Sequence, residues 1–217
     1  MRMDFRRLLV FLVFAGYAME GIGQQDCVLK KNQDSVLVYT CHQPESKIKS
    51  IKASFTVQGK LSELTARVMD VNSYTAWQYR IIKSDILKNI NERELIFHSE
   101  VSAPWPVSNR DMVAHLTAEQ DKLTKAVTIT IRGIPDFIPP MNSEVVRVRQ
   151  SLGKWVVTPL GKGLLKVEYS FVVDPGGSIP SWLVNMAAAE GPSYTFKSFK
   201  EIMKSKKVKN PASFIVD

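Results

Sequence analysis

The stretch Asp174–Lys204, DPGGSIPSWLVNMAAAEGPSYTFKSFKEIMK, decides how the rest of the chain is arranged. It opens on a turn signal, Pro175-Gly176-Gly177, after which Ser178 is placed to cap a helix and Pro180 falls near its first turn. No strand alternation survives beyond that point. Ile179, Leu183 and Ala187 recur at helical spacing, as do Trp182 with Met186 and Phe199 with Met203. At about 1.5 Å per residue such a helix spans roughly 40 Å, enough to cross a whole domain. Ala187-Ala188-Ala189 and Gly191 leave a groove where large side chains would fill space. Pro192 removes a helical hydrogen bond and predicts a kink at the middle.

What precedes this helix reads as strands. Val28–Tyr39 forms a pair around Asn32-Gln33-Asp34-Ser35, and residues 49–57 alternate again up to Gly59. Leu61, Leu64 and Val68 switch to helical spacing over residues 62–70, and a second short turn carries Trp77. Strands follow over 79–90, 94–101, 112–119 and 124–132. A hairpin is expected at Ser151-Leu152-Gly153-Lys154, between strands 145–150 and 155–158. Residues 163–173 give the cleanest alternation, with Leu165, Val167, Tyr169, Phe171 and Val173 on one face. Consecutive hairpins imply a meandering antiparallel sheet, apolar on one side. The expectation is an α+β domain, a curved sheet wrapped on one long C-terminal helix, with residues 206–217 as a basic, loosely held tail.

The N-terminus sets the compartment. Arg2, Arg6 and Arg7 precede the apolar run Leu8–Ala15, and Gly21-Ile22-Gly23 supplies a small-x-small cleavage site. The run is short for a bilayer span, so residues 1–23 read as a signal peptide, with the folded domain over 24–205. The net charge of +8 favours acidic partners, yet basic residues cluster only at Lys204–Lys209 and lack interleaved aromatics, which argues against nucleic acid. Cys27 and Cys41 lie symmetrically about Asp34. In an oxidising compartment they could form a disulfide closing about 15 residues, or remain two buried thiols.

Two motifs carry a family resemblance. Pro104-Trp105-Pro106, followed by Asn109-Arg110-Asp111 at the start of a strand, resembles the WP…NRD signature of START domains, the StAR-related lipid-transfer family. Asp174-Pro175-Gly176-Gly177, Ile179-Pro180 and Leu183-Val184-Asn185 are similar to that family's approach to its C-terminal helix. The pattern Leu29-Lys30 to Val38-Tyr39 and Trp77 add support, so the likeness runs from Val28 to about Met203. It implies a helix-grip fold, a bacterial exported member, periplasmic or extracellular, and a monomer that touches membranes transiently. The implied ligand is a lipid or sterol-like molecule between sheet and helix. Leu116 stands near the place of a pocket arginine common in sterol-binding members, which counts against a sterol.

The candidate ligand-binding residues are Arg110, Trp105, Phe137, Ile138, Met141, Leu183, Met186, Ala187 and Phe199. Arg110 either meets a lipid headgroup at the pocket mouth or pairs with Asp111 to anchor the Trp105 loop. Ile134, Phe137, Ile138 and Met141 make an unusually apolar connection, which either closes as a flap over the helix near Pro192 or completes the core. His42, His98 and His115 lie on separate hairpins without metal spacing, so no metal and no cofactor is expected. No serine sits in a G-x-S-x-G frame. The alternative function is an enzyme of the cyclase or aromatase type, which other helix-grip proteins are.

Overall fold

The cleanly alternating run near residue 165 becomes the centre of the sheet. A computed structural model describes residues 26–42, 49–139, 144–177, 179, 181–205 and 208–217, without the side chains of 26, 42, 49, 181–187, 189 and 205. The proposed leader and Met141 lie outside the described residues. The strands are β1 (Asp26–Gln33), β2 (Val36–His42), β3 (Lys49–Gln58), β4 (Ile81–Asn91), β5 (Glu94–Val101), β6 (Arg110–Gln120), β7 (Val127–Gly133), β8 (Val146–Arg147), β9 (Gln150–Gly161) and β10 (Leu164–Asp174). The helices are α1 (Leu61–Met69) and α2 (Ser181–Ser205), with a 3₁₀ segment at Val71–Ala76. The sheet order is β1-β2-β3-β10-β9-β7-β6-β5-β4, antiparallel throughout, and β8 pairs parallel with β6.

This order leaves the sheet with two edges, β1 and β4, and α2 stands between them. Lys31 on β1 meets Glu190 at 2.8 Å, while the backbone N–H of Tyr79, just before β4, donates to Thr195 Oγ1 at 3.0 Å. The sheet thereby wraps the helix, the α+β helix-grip arrangement expected. The assigned helix runs through Pro192 without interruption. One rim of the sheet carries the tight turns at 34–35, 91–93 and 161–163, together with α1. The other, the open rim, gathers residues 102–109, 134–139, 144–149 and 175–177.

Several boundaries differ from the sequence reading, each for a physical reason. Ser151–Lys154 is no hairpin but the interior of β9, paired with β7 on one side and β10 on the other. Gly153 marks close packing there, since an ideal Cβ would stand 3.5 Å from Ile131 Cβ and 3.6 Å from Phe171 Cδ2. β7 begins at Val127 rather than Thr124, because Asp121 Oδ1 accepts from Leu123 N, Thr124 N and Thr124 Oγ1 and holds 121–124 as a turn. Burial would raise the Asp121 carboxyl, but these bonds to Thr124 dominate and hold it below its ordinary value. Cys27 and Cys41 face each other across β1 and β2 and are bonded in a disulfide.

The C-terminal tail is the largest departure. Ile215 is buried in the core, Phe214 lies beneath the Arg93 guanidinium, and Ala212 N donates to Ser62 O at 3.1 Å. Gln120 exchanges two hydrogen bonds with the Val216 backbone, at 2.7 and 2.9 Å. Asp217 accepts from Ser62 N and Ser62 Oγ, both at 2.8 Å, and so caps α1, whose own Lys60 offers no side-chain cap. A basic run upstream gave no hint of this apolar closure. Deleting residues 212–217 should cost about 2–4 kcal/mol, from one buried isoleucine and one lost cap. Urea unfolding checks it; an unchanged midpoint would mean that the tail adheres without stabilising.

Candidate functional site

Directly opposed residues share a face of the sheet, so register assigns each side chain its side. Nearest the turn rim, the inward row is Val127, Val157, Val167, Phe55 and Val36, all buried. The next is Ile129, Trp155, Tyr169, Ala53 and Val38. Two aromatics of α2 close on these rows. Phe196 lies 5.0 Å from the Phe55 and Tyr169 rings and 5.4 Å from Trp155. Phe199 lies 5.0 Å from Trp77 and 5.3 Å from Trp155. This end of the interior is solid.

Toward the open rim the rows change character. Ile131, Gly153, Phe171, Ile51 and Thr40 form the third row, in which glycine contributes no side chain at the centre. Ile131, Phe171, Ile51 and, on β6, Met112 point inward and yet stay partly exposed. On α2 the residues before these aromatics are small: Ala188 is buried, and a Cβ at Gly191 would make an ordinary contact of 3.5 Å with Tyr79 Cδ1. The described interior thus has an aromatic floor at one end and partly exposed inward apolar side chains toward the open rim.

Arg110 stands at the open-rim end of these inward positions. It lies opposite Val101 and alternates with Met112 and Ala114, so it starts from the inward face. Nη1 donates to Ser108 O, Nη2 to Gly176 O at 3.3 Å, and Nε is buried without a partner. Burial lowers the pKa of its guanidinium from the ordinary value. The side chain bridges the loop before β6 to the loop that enters α2.

The expected Arg110–Asp111 pair is absent because neighbours in a strand face opposite ways. Asp111 points outward, where Arg147 Nε and Nη2 bind its two oxygens at 2.9 and 2.8 Å and His98 Nε2 stands 3.1 Å away. Arg147 also donates to the carbonyls of Pro135 at 2.6 Å, Ile138 at 2.8 Å and Pro139 at 3.5 Å. Burial alone would raise the Asp111 carboxyl, but Arg147, with His98 behind it, outweighs burial and holds it below the usual carboxylate range. The carbonyls of the described part of the apolar connection are thus held by Arg147, beside the outward Asp111. A depression of about 300 Å³ lies there, lined by Pro135, Asp136, Ile138, Pro139, Arg147 and Arg149. Arg147 has spent its donors, and Arg149 is paired with Asp136 at 2.8 Å, so this depression offers an anion little.

The candidate residues are accordingly not all brought together. Arg110 lies on the inward face at the open rim. Phe199 belongs to the aromatic floor at 0% exposure. Trp105 is 91% exposed on the loop before β6. Phe137 is exposed and Ile138 half-buried on the pinned connection. Leu183, Met186 and Ala187 sit on the first turns of α2, where side chains are not described. Sequence reasoning missed Arg147 and His98, whose shared partner Asp111 is distant in the chain, and the inward Ser84 and Ser99.

The START domain family model matches residues 22–209. The chain belongs to the START family. A crystal structure of the STAR-related lipid transfer protein from Xanthomonas axonopodis superposes with a TM-score of 0.74 at 29% identity, covering 82% of this chain and 99% of that one. An uncharacterized protein of Pseudomonas aeruginosa is 30% identical over 176 residues, 81% of this chain and 86% of its own length. The phosphatidylcholine transfer protein of Mus musculus is 30% identical over 133 residues, 59% of this chain and 60% of that protein. Human STARD10 shares the fold, with a TM-score of 0.68 at 18% identity. Lipid binding is the property of this START family, and its named relatives here are lipid transfer proteins.

Proposed function

We propose that the chain is a lipid carrier that holds acyl chains in an upper hollow, between the open-rim half of the sheet and α2, and performs no chemistry on them. The observation that carries this reading is the partial exposure of Ile131, Phe171 and Ile51 in the third inward row and of Met112 nearer the open rim, whereas Leu116 and Leu95, in the same third row, are buried. Each methylene moved from water into such a space contributes roughly 0.8 kcal/mol, so chains alone supply ample affinity. Tyr169, beside the hollow, is raised by burial well above its ordinary pKa and stays a neutral hydroxyl. The Tyr74 hydroxyl, likewise raised by burial, donates to Val68 O at 2.6 Å. Neither is poised for acid–base work.

The open rim is the membrane-facing end in this reading. Trp105 at 91% exposure, with Phe137, Val101 and Ile82 also exposed, fits an interfacial anchor, since indole favours the headgroup level. The Cys27–Cys41 disulfide suits an oxidising compartment and so supports export. Native mass spectrometry of protein purified without added ligand tests the carrier reading. A reproducible adduct of lipid mass is expected; turnover of a hydrophobic substrate without such an adduct would favour an enzyme. Trp105→Ala should slow transfer between vesicles about tenfold and leave the melting temperature unchanged, because its ring supports nothing in the core. Transfer at the wild-type rate would remove Trp105 from the docking surface.

A further inference from the structure

The inward face of β4 and β6 carries polar groups without a partner, and the buried Ser99 of β5 lies between them. Ser84 on β4 is 6% exposed, and its Oγ is buried without a partner. It lies directly opposite Ser99 on β5, which in turn lies opposite Met112 on β6. One inward position closer to the open rim stands Arg110, with its unpartnered Nε. A buried donor left unpaired is costly, and two of them on either side of a buried serine fit an acceptor that arrives from outside.

The charges around them define that acceptor. Asp85, Glu100 and Asp111 all alternate to the outer face of these strands, so none of the three neutralises Arg110 from within. The described inward residues beside the cluster include Val101, Ala114, Phe97, Met112 and Ser151, whose Oγ donates to Met112 Sδ at 3.2 Å. Phe97 is one ring, packed edge-on against Tyr74, where a quaternary ammonium needs several. Hydroxyls and a guanidinium are donors to oxygen, and their bonds to an anion are the strong ones.

We propose that the ligand's head is an oxyanion, a phosphate or a carboxylate carried on acyl chains, held by Arg110, Ser84 and Ser99 just inside the open rim. Its chains would then run along the third row toward the aromatic floor. The assignment rests on the carrier reading and narrows it to a class of lipid: net-anionic headgroups are selected over phosphatidylcholine, whose phosphate would bring a choline cation beside the Arg110 guanidinium with no cage of rings to hold it.

The test offers the delipidated full chain to mixed vesicles with equal amounts of phosphatidylglycerol, phosphatidylcholine, diacylglycerol and oleate, then identifies the lipid retained after separation by native mass spectrometry. Phosphatidylglycerol or oleate should be retained about tenfold over phosphatidylcholine and diacylglycerol, and which of the two prevails tells phosphate from carboxylate. Arg110→Gln and Ser84→Ala should each reduce that preference without reducing diacylglycerol retention. Arg110→Lys, which keeps the charge, should keep part of it. Equal retention of phosphatidylcholine and the anionic lipids overturns the headgroup assignment and leaves the carrier reading standing. So does an unchanged preference in Ser84→Ala and Arg110→Gln. Retention of no lipid at all overturns both.

Discussion

Replacing Arg147 with methionine is expected to destabilise the protein by about 3–5 kcal/mol, the usual consequence of leaving a buried carboxylate without its cation. The Arg147 and Asp111 side chains are 4% and 3% exposed, so water cannot take over. The loss extends beyond the pair, because Arg147 also donates to the carbonyls of Pro135, Ile138 and Pro139. Urea unfolding measures it; a loss below about 1 kcal/mol would show a dispensable pin. The same site sets an acid limit. Asp111 is held below its ordinary pKa, so its contribution is complete above the unfolded value, about 3.9, and disappears as pH falls through the lower folded value. Asp111→Asn should flatten the stability profile below about pH 4.

Phe199→Ala should cost about 3–5 kcal/mol, as truncation of a fully buried phenylalanine does. Its ring touches Phe55, Trp77 and Trp155, residues from three separated parts of the chain, and no rearrangement of one closes the void. Thermal unfolding and lipid retention together decide its role. A large loss of stability with retention preserved is expected of the floor. A small loss with retention abolished would return Phe199 to the ligand wall.

The periodicity of 165–173, the helical spacing after Gly177 and the Asp34 turn were readable because each depends on residues close in sequence. Gly153 misled because glycine marks both turns and close packing, and only the Phe171 ring opposite decides between them. The tail was invisible for a related reason: Ile215 and Asp217 gain meaning only beside α1, more than a hundred residues upstream. Within the candidate site, Arg110 was legible from its motif. Its supposed partner Asp111 was misassigned because strand alternation, which turns neighbours apart, was not applied across the motif boundary. Ser84 and Ser99 carried no local signal, since a serine in a strand is ordinary until its register places it inside.

The claim that the upper hollow houses the lipid's chains is tested most directly by photo-crosslinking with a lipid bearing a diazirine on its acyl chain, followed by peptide mapping. Labels should fall on Ile51, Met112, Ile131 and Phe171, the inward residues that remain partly exposed. Labels confined to Pro135, Ile138 and Pro139 on the outer face would contradict the account.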